Sequence, residues 1–379
     1  MLNLFNNKIN IDLLQSLSKE TPYFIFSKEK ILEKYNEFKE CFPKASIQYA
    51  LKANSELEVL KILSDAGCGF EAASKYELDL LKKINSPAKN IIFGSSIKPE
   101  AHIKDFFNYG VDRFAFDTVE ELEKIAVVAP GSRVYVRVVV SDSGSVFKMS
   151  EKFGTEIENV IPLLIHAKNL GLQPYGVSFN VGSQATNGNA WANAMEHLIP
   201  VIEQLKESGI VIEVLNLGGG YPCKYTSTEN APDLKEIAEK FFEQFNKLSF
   251  KPKLILEPGR GIIAETGVLV TAVVAKMERR GINWLFLDAG VYNALFEAMA
   301  YQGSTRYPIM SLKPAQDAGE KLFALAGPTG DGPDIITREA LLPSDIDVGD
   351  RIIIHNIGAY SIVTSSEFNG FPKPHVYYV

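Results

Sequence analysis

The chain has 379 residues, 46% hydrophobic and 22% charged, with a net charge of −7. That profile excludes a disordered chain and leaves room for two domains, while the acidic balance and the lack of a basic run argue against nucleic acid as a partner. Cys41, Cys68 and Cys223 are scattered without a CxxC pair, and the five histidines fall at no zinc-ligand spacing. A disulfide framework and a zinc site are therefore not expected, and a reducing cytoplasm is.

The N-terminal "MLNLFNNKINIDLL" lacks a basic segment followed by an apolar one, and no run approaches a membrane span. "TPYFIFS" (21–27) reads as a strand whose domain is left open. From residue 47, short apolar runs alternate with longer amphipathic stretches. The runs are "IQYALKA" (47–53), "GFEAAS" (69–74), "IIFGSS" (91–96), "RFAFDT" (113–118), "VYVRVVVS" (134–141), "YGVSFNVGS" (175–183), "IEVLNLGGG" (212–220) and "KLILEPGR" (253–260). Between them, "SELEVLKILSDAG" places Leu57, Leu60 and Leu63 on one helical face and stops at Gly67. "SKYELDLLKKI", "TVEELEKIAVVA", "NVIPLLIHAKNLG", "AMEHLIPVIEQLKESG" and "DLKEIAEKFFEQFNKL" follow the same pattern.

Eight β–α units with near-continuous apolar strands predict a parallel (β/α)8 barrel over residues 26–262. A doubly wound open sheet is the second choice, but no early Gly-rich fingerprint is present. Beyond residue 262 the runs "GVLVTAVVAKMER", "NWLFLDAG", "DIIT", "DRIIIHN" and "HVYYV" predict a mostly β domain over 263–379, with residues 1–25 contributing a strand.

A barrel of this kind carries its active site at the C-terminal strand ends. There the sequence places Lys52, Glu71 with Ser74, Ser95, Asp117, Arg137, Asn180 with Ser183, Gly218 to Gly220, and Glu257 with Arg260. Each has a plain structural reading: Lys52 reaching the rim, Asp117 capping a helix, Arg137 pairing. Their coincidence at one end favours a site. "LGGGYP" follows the seventh strand, where barrels often bind phosphate on bare backbone N–H groups, and phosphate binding is the favoured reading; a tight turn needing positive φ is the alternative. A strand-end lysine beside a phosphate site and a buried glutamate suggests a cofactor Schiff base. Burial and a neighbouring cation would lower the lysine pKa and expose the neutral amine.

"YALKAN", "GFEAAS", "VSFNVGSQ", "LGGGYP", "EPGR", "GPTGDGPD", "GAY" and "EFNGF" together resemble the pyridoxal-phosphate (PLP) decarboxylases of alanine-racemase fold, which act on ornithine, lysine, arginine or diaminopimelate. The motifs follow the family order over nearly the whole chain. The resemblance implies that Lys52 carries PLP and that Glu257 faces the pyridine nitrogen. It places Gly218, Gly219, Gly220, Ser183, Arg260 and Tyr360 on the phosphate, and Glu71, Arg137, Asn180 and Gly259 around the cofactor, with Glu77 nearby. It also implies a head-to-tail homodimer with shared sites, in which Asp331 approaches the distal end of an amino-acid substrate held by the other chain, near Phe368.

Three positions depart from the family pattern. Asn180 replaces the ring-stacking His, Gly330 the Cys that helps return a proton to the product, and Ala289 an Asp that grips the distal amine in eukaryotic ornithine decarboxylases; the bacterial branch also lacks that Asp. These losses suggest a modified distal amine, as in N-citrylornithine of siderophore pathways, with Arg306 or Lys148 receiving the citryl group. Decarboxylation of free ornithine or lysine, a non-catalytic paralogue like the antizyme inhibitors, and racemisation are the alternatives.

Overall fold

The computed structural model describes residues 14, 19–225, 231–301, 307–313 and 319–379. The chain divides into two compact units. One holds Leu32–Pro222 and Asn230–Gly261; the other is built chiefly from Ile262–Val379 with β1 (Tyr23–Phe26).

The first unit is a closed parallel barrel. In chain order its strands are β2 (Ser46–Ala50), β3 (Gly69–Ala72), β4 (Ile91–Phe93), β5 (Arg113–Phe116), β6 (Arg133–Val138), β8 (Gln173–Phe179), β10 (Val214–Asn216) and β11 (Lys253–Leu256), and β11 pairs back onto β2. All eight predicted strands are present. Near-continuous burial along β3, β4 and β5 accounts for their apolar sequences, since a parallel strand is covered on both faces. One buried cluster takes Ile92, Ala115, Tyr135, Tyr175, Val214 and Ile255 from six different strands, a side-chain layer that fills the barrel. A two-stranded antiparallel pair, β7 (Ser145–Phe147) with β9 (Ser183–Ala185), ties the segment after β6 to the segment after β8.

The helices are α1 (Lys28–Cys41), α2 (Leu57–Asp65), α3 (Lys75–Lys83), α4 (Glu100–Tyr109), α5 (Val119–Val128), α6 (Val160–Asn169), α7 (Ala190–Glu207), α8 (Leu234–Phe245) and the short α9 (Arg260–Ile263). Ser74 and Thr118 cap α3 and α5, each hydroxyl accepting the backbone N–H three residues on. The expected face of α2 is corrected. Val59, Leu60 and Leu63 are buried, while Leu57 is 39% exposed. At about 100° per residue, Val59 sits closer than Leu57 to the arc that Leu60 and Leu63 share.

The second unit is an eight-stranded sheet with the path β14 (Ile309–Ser311), β17 (Arg351–His355), β12 (Gly267–Arg279), β13 (Ile282–Leu287), β15 (Glu320–Ala326), β16 (Ile335–Pro343). Here "TPYFIFS" finds its place, because β1 pairs antiparallel with β12 and parallel with β18 (His375–Tyr378). Tyr23, Ile25, Val268, Val270 and Ile353 form this unit's buried core. Sequence reading missed β14 and β15; β14 has three residues, and β15 is buried only over its last four. Among the described residues, no helix is long and apolar enough to cross a membrane.

Candidate active site

The strand ends of the barrel gather most of the residues singled out above. Strand β2 stops at Ala50, and Lys52 follows on a single 3₁₀ turn, Leu51–Ala53, whose other two residues are buried. Its Nζ lies 2.8 Å from Glu71 Oε2, with the lysine side chain 44% exposed and the glutamate 3%. This corrects the expectation of a buried amine: the turn lifts Lys52 off the strand, and its ion-pair partner is a carboxylate.

Glu71 sits inside β3, and Gly94 makes room for it, because a Cβ at position 94 would lie 2.6 Å from Glu71 Cγ. Glu77, on the first turn of α3, accepts the Ala73 N–H at 2.7 Å. Burial first, and then the Glu71 charge, push its carboxyl up to about 7 against the Ala73 N–H and the Lys52 ammonium. Glu257 follows β11. Desolvation and the Glu71 charge raise it to about 7 as well, while Lys52, Asn216 and Arg137 oppose the rise. Lys52, Glu71, Glu77, Arg137 and Glu257 thus form one electrostatic group, three carboxylates against two cations.

The glycine run is shaped by close contacts. Gly218 has φ +63° and Gly220 φ +99°. A Cβ on Gly218 would collide with the Phe179 carbonyl, one on Gly219 would lie 2.8 Å from Glu257 O, and one on Gly220 would lie 2.5 Å from Gly182 O. The turn therefore needs glycine sterically, whatever else it does. The Gly218 N–H is taken by Asn216 Oδ1 at 2.9 Å; those of Gly219 and Gly220 donate to no protein group among the described residues. Nearby, Arg260 Nη2 donates to Ser183 Oγ at 3.4 Å, with its guanidinium 5.6 Å from the Phe147 ring. A side chain at Gly259 would crowd Ala53 Cβ at 2.8 Å, which keeps the Glu257 turn against the Lys52 turn.

Other predicted residues have local partners. Asn180 Oδ1 accepts the Gly182 N–H at 2.9 Å. Asp117 does not cap α5; it accepts the Gly154 N–H at 2.8 Å and so secures the loop after β6. The Arg137 guanidinium lies 5.1 Å from the Phe153 ring. Ser95 Oγ donates to Ile97 O at 2.8 Å in an exposed turn. Lys148 is exposed beside β7.

Sequence reading missed Asn216. It lies fully buried at the end of β10, donating from Nδ2 to Glu257 Oε1 at 2.6 Å while accepting from Gly218. A polar residue interrupting an apolar strand two positions before a glycine run was the available signal.

The remaining predicted residues belong to the second unit. Gly330 and Asp331 lie on the loop between β15 and β16, and Asp331 Oδ2 accepts a short hydrogen bond from the Tyr292 hydroxyl. Asp334 organises that loop, accepting from Val291 N at 2.9 Å, Thr329 N at 3.1 Å and Thr329 Oγ1 at 2.6 Å. Phe368 packs on Tyr292 with ring centroids 4.5 Å apart. Ala289 is buried after β13, and Tyr360 is partly buried with φ +54°. Arg306 lies outside the described residues.

A closed (β/α)8 barrel with a strand-end amine, a buried carboxylate and a glycine cradle defines a barrel enzyme equipped for an anionic, electron-withdrawing cofactor. The family profile described as pyridoxal-dependent decarboxylase, pyridoxal binding domain, matches residues 28–264. The chain belongs to that family. It is a PLP-dependent amino-acid decarboxylase by class, with pyridoxal 5'-phosphate as cofactor.

Among similar proteins, a lysine/ornithine decarboxylase of Selenomonas ruminantium is 30% identical over 97% of this chain and 92% of its own. Antizyme inhibitor 2 of Xenopus laevis is 32% identical over 97% and 84%. Among solved structures, SrLDC in complex with PLP, as a double mutant, matches with a TM-score of 0.92 at 28% identity, over 99% of this chain and 96% of that one. The lysine/ornithine decarboxylase of Vibrio vulnificus complexed with putrescine matches with a TM-score of 0.88 at 29% identity, over 97% and 98%.

The residues present fit PLP. Two undirected backbone N–H groups beside a buried arginine suit a phosphate. A carboxylate raised by burial and a like charge suits a cationic ring nitrogen.

Proposed function

We propose that the chain removes the α-carboxylate of an ornithine-type diamino acid whose distal amine is modified, as in N-citrylornithine, serving siderophore assembly. The observation that carries this reading is the open space at Gly330, where an added Cβ would meet no atom within 4 Å. The family's thiol is missing there, and Ala289 offers no carboxylate to a free distal ammonium.

In this reading Lys52 anchors the cofactor and Glu257 faces its ring nitrogen. Gly218, Gly219, Gly220, Ser183, Arg260 and Tyr360 hold its phosphate, with Glu71, Arg137, Asn180 and Gly259 around it. When bound, PLP would supply the electron sink for the pair left on the α-carbon as CO2 departs. The chain's own task is to hold the substrate and to return a proton to its α-carbon. With glycine at 330, the Lys52 ammonium, kept within 2.8 Å of Glu71, or a water supplies it. Two chains share their sites, Asp331 of one serving substrate bound by the other, with Phe368 at its edge. The protein works in the reducing cytoplasm, where Cys41, Cys68 and Cys223 form no disulfide.

Two other readings have specific support. Decarboxylation of free ornithine or lysine is favoured by the Selenomonas relative and the putrescine bound by the Vibrio one. A non-catalytic role is favoured by the antizyme-inhibitor relative, but the retention of Lys52 and Glu257 speaks against it.

The deciding experiment compares CO2 release from N-citrylornithine, free ornithine and free lysine. Strong preference for a free diamino acid sinks the proposal. No release from any, with no PLP taken up, returns the non-catalytic reading, and a D-enantiomer without CO2 indicates racemisation.

A further inference from the structure

A cavity of about 560 Å³ lies between α5 and α6 on the barrel unit. Val119 and Glu123, four apart on one face of α5, form one wall; Pro162, Leu163 and His166 of α6 form the other. Asp117 and Thr155 close its inner end.

These two inner side chains are fixed in place, each with an oxygen to spare. Both are only 7% exposed. Asp117 follows β5, and its Oδ2 accepts the Gly154 N–H at 2.8 Å, while its Oδ1 accepts from no described residue. Thr155 is held through its backbone: its N–H donates to Arg137 O and its carbonyl accepts from Val139 N, both at 2.9 Å, as it pairs in parallel with Val138. The Thr155 hydroxyl has no hydrogen-bond partner among the described residues, and it is not sealed into the core, so it opens into the cavity that Thr155 lines. Buried oxygens of this kind call for a donor from outside the protein.

Charge selects the donor. The lining carries two carboxylates, Asp117 and Glu123, and no lysine or arginine among the described residues. Lys98 and Arg137 act on Asp117 electrostatically, but neither lines the cavity. Lys98 is committed to Glu121 at 3.0 Å and to the carbonyls of Ser95 and Ala115. Glu123 stands 3.3 Å from His166 Nε2 at the mouth. It lies in the second turn of α5, beyond the first-turn positions that the helix dipole favours. Val119, Pro162 and Leu163 present hydrocarbon between the two carboxylates, and Val119 to Glu123 alone spans about 6 Å along the helix axis.

We propose that this cavity binds a linear aliphatic polyamine. One ammonium donates to Asp117 Oδ1 and Thr155 Oγ1. The methylene chain lies along Val119, Pro162 and Leu163, and a second ammonium reaches Glu123. A neutral ligand would leave both carboxylates unpaired, and an anion would be repelled by them. Lys52, Glu71 and Glu257 are absent from the lining, so the site is separate from the strand-end group and does not depend on which amino acid is decarboxylated.

Calorimetry on the PLP-loaded protein tests this, with putrescine as the probe, butylamine as its singly charged counterpart and butanediol as its uncharged one. Wild type is expected to bind putrescine more tightly than butylamine, and butanediol not at all. Asp117→Asn keeps an acceptor for Gly154 but removes the charge, and should weaken putrescine about tenfold. Thr155→Val, which removes the hydroxyl, and Glu123→Gln should each weaken it roughly threefold to fivefold. Val119→Arg sets a cation in the path of the methylene chain and should abolish binding. Glu156→Gln should leave binding unchanged, because Glu156 is exposed beside Thr155 but outside the lining. Retained PLP absorbance shows that each variant is folded.

No putrescine binding by wild type overturns the site. Equal losses in Glu123→Gln and Glu156→Gln overturn it too, since they mark a general attraction to acidic surface. Putrescine that shifts the PLP absorbance and binds Val119→Arg as tightly as wild type sits at the strand ends, and the cavity assignment then fails.

Discussion

Asn216 Nδ2 donates to Glu257 Oε1 at 2.6 Å, and the same side chain accepts the Gly218 N–H at 2.9 Å. One buried amide thus orients the carboxylate after β11 and the first glycine of the loop after β10. Replacing it with Ala leaves two buried polar partners unpaired, at a cost of about 1–3 kcal/mol for each. Asn216→Ala should therefore lose stability in urea and weaken PLP binding. Asn216→Asp keeps the shape but sets a carboxylate against Glu257, so its PLP affinity should fall further at alkaline pH than at acidic pH. Equal PLP affinity in all three proteins would remove Asn216 from the site.

Lys52 and Glu71 give a second prediction. Lys52→Ala should abolish the visible absorbance of the purified protein and its CO2 release. Because Lys52 is 44% exposed, the fold should survive, with a loss of about 1–2 kcal/mol from the stranded Glu71. A colourless wild type that takes up no PLP contradicts the assignment.

Two glycines should respond oppositely to alanine. Gly218→Ala places a Cβ against the Phe179 carbonyl at φ +63°, and both strain and collision should prevent a stable cofactor-binding form. Gly330→Ala meets no atom within 4 Å, and its unfolding midpoint should stay near that of wild type. Thermal unfolding with and without PLP reads both; a wild-type-like Gly218→Ala would mean that the loop has slack.

The pH dependence of the cofactor-free protein follows from Glu77, Glu257 and His355. Both glutamates are raised from 4.5 to about 7, so between those values the folded chain holds protons that the unfolded chain has released. Their stabilising contribution is complete below the unfolded value and is lost as pH rises through about 7. His355, lowered from 6.5 to about 4 by burial, acts in the other direction, and its contribution is lost as pH falls through that window. Urea midpoints should therefore decline from about pH 5 to about pH 8. Glu77→Gln and Glu257→Gln should each flatten that decline; slopes identical to wild type would contradict the burial assigned to these groups.

Much was legible in the chain. Eight apolar runs separated by amphipathic stretches specify eight β–α units, because a parallel strand covered on both faces must be apolar throughout and its crossover helix on only one. "LGGGYP" announced glycines that no other residue can replace, and Lys52, Glu71 and Glu257 were visible as polar residues at strand ends.

What the tertiary structure alone decided is which of these residues meet. Asn216 joins Glu257 across 41 residues of sequence, and Gly94, just after the neighbouring strand β4, yields its side-chain volume to Glu71. A 3₁₀ turn carries Lys52 out of the strand in which the sequence had buried it. Asp117 and Thr155 come to one cavity because the loop after β6 folds back to pair with Val138. Local pattern records burial and periodicity, whereas strand pairing and the packing of side chains depend on residues far apart in the chain.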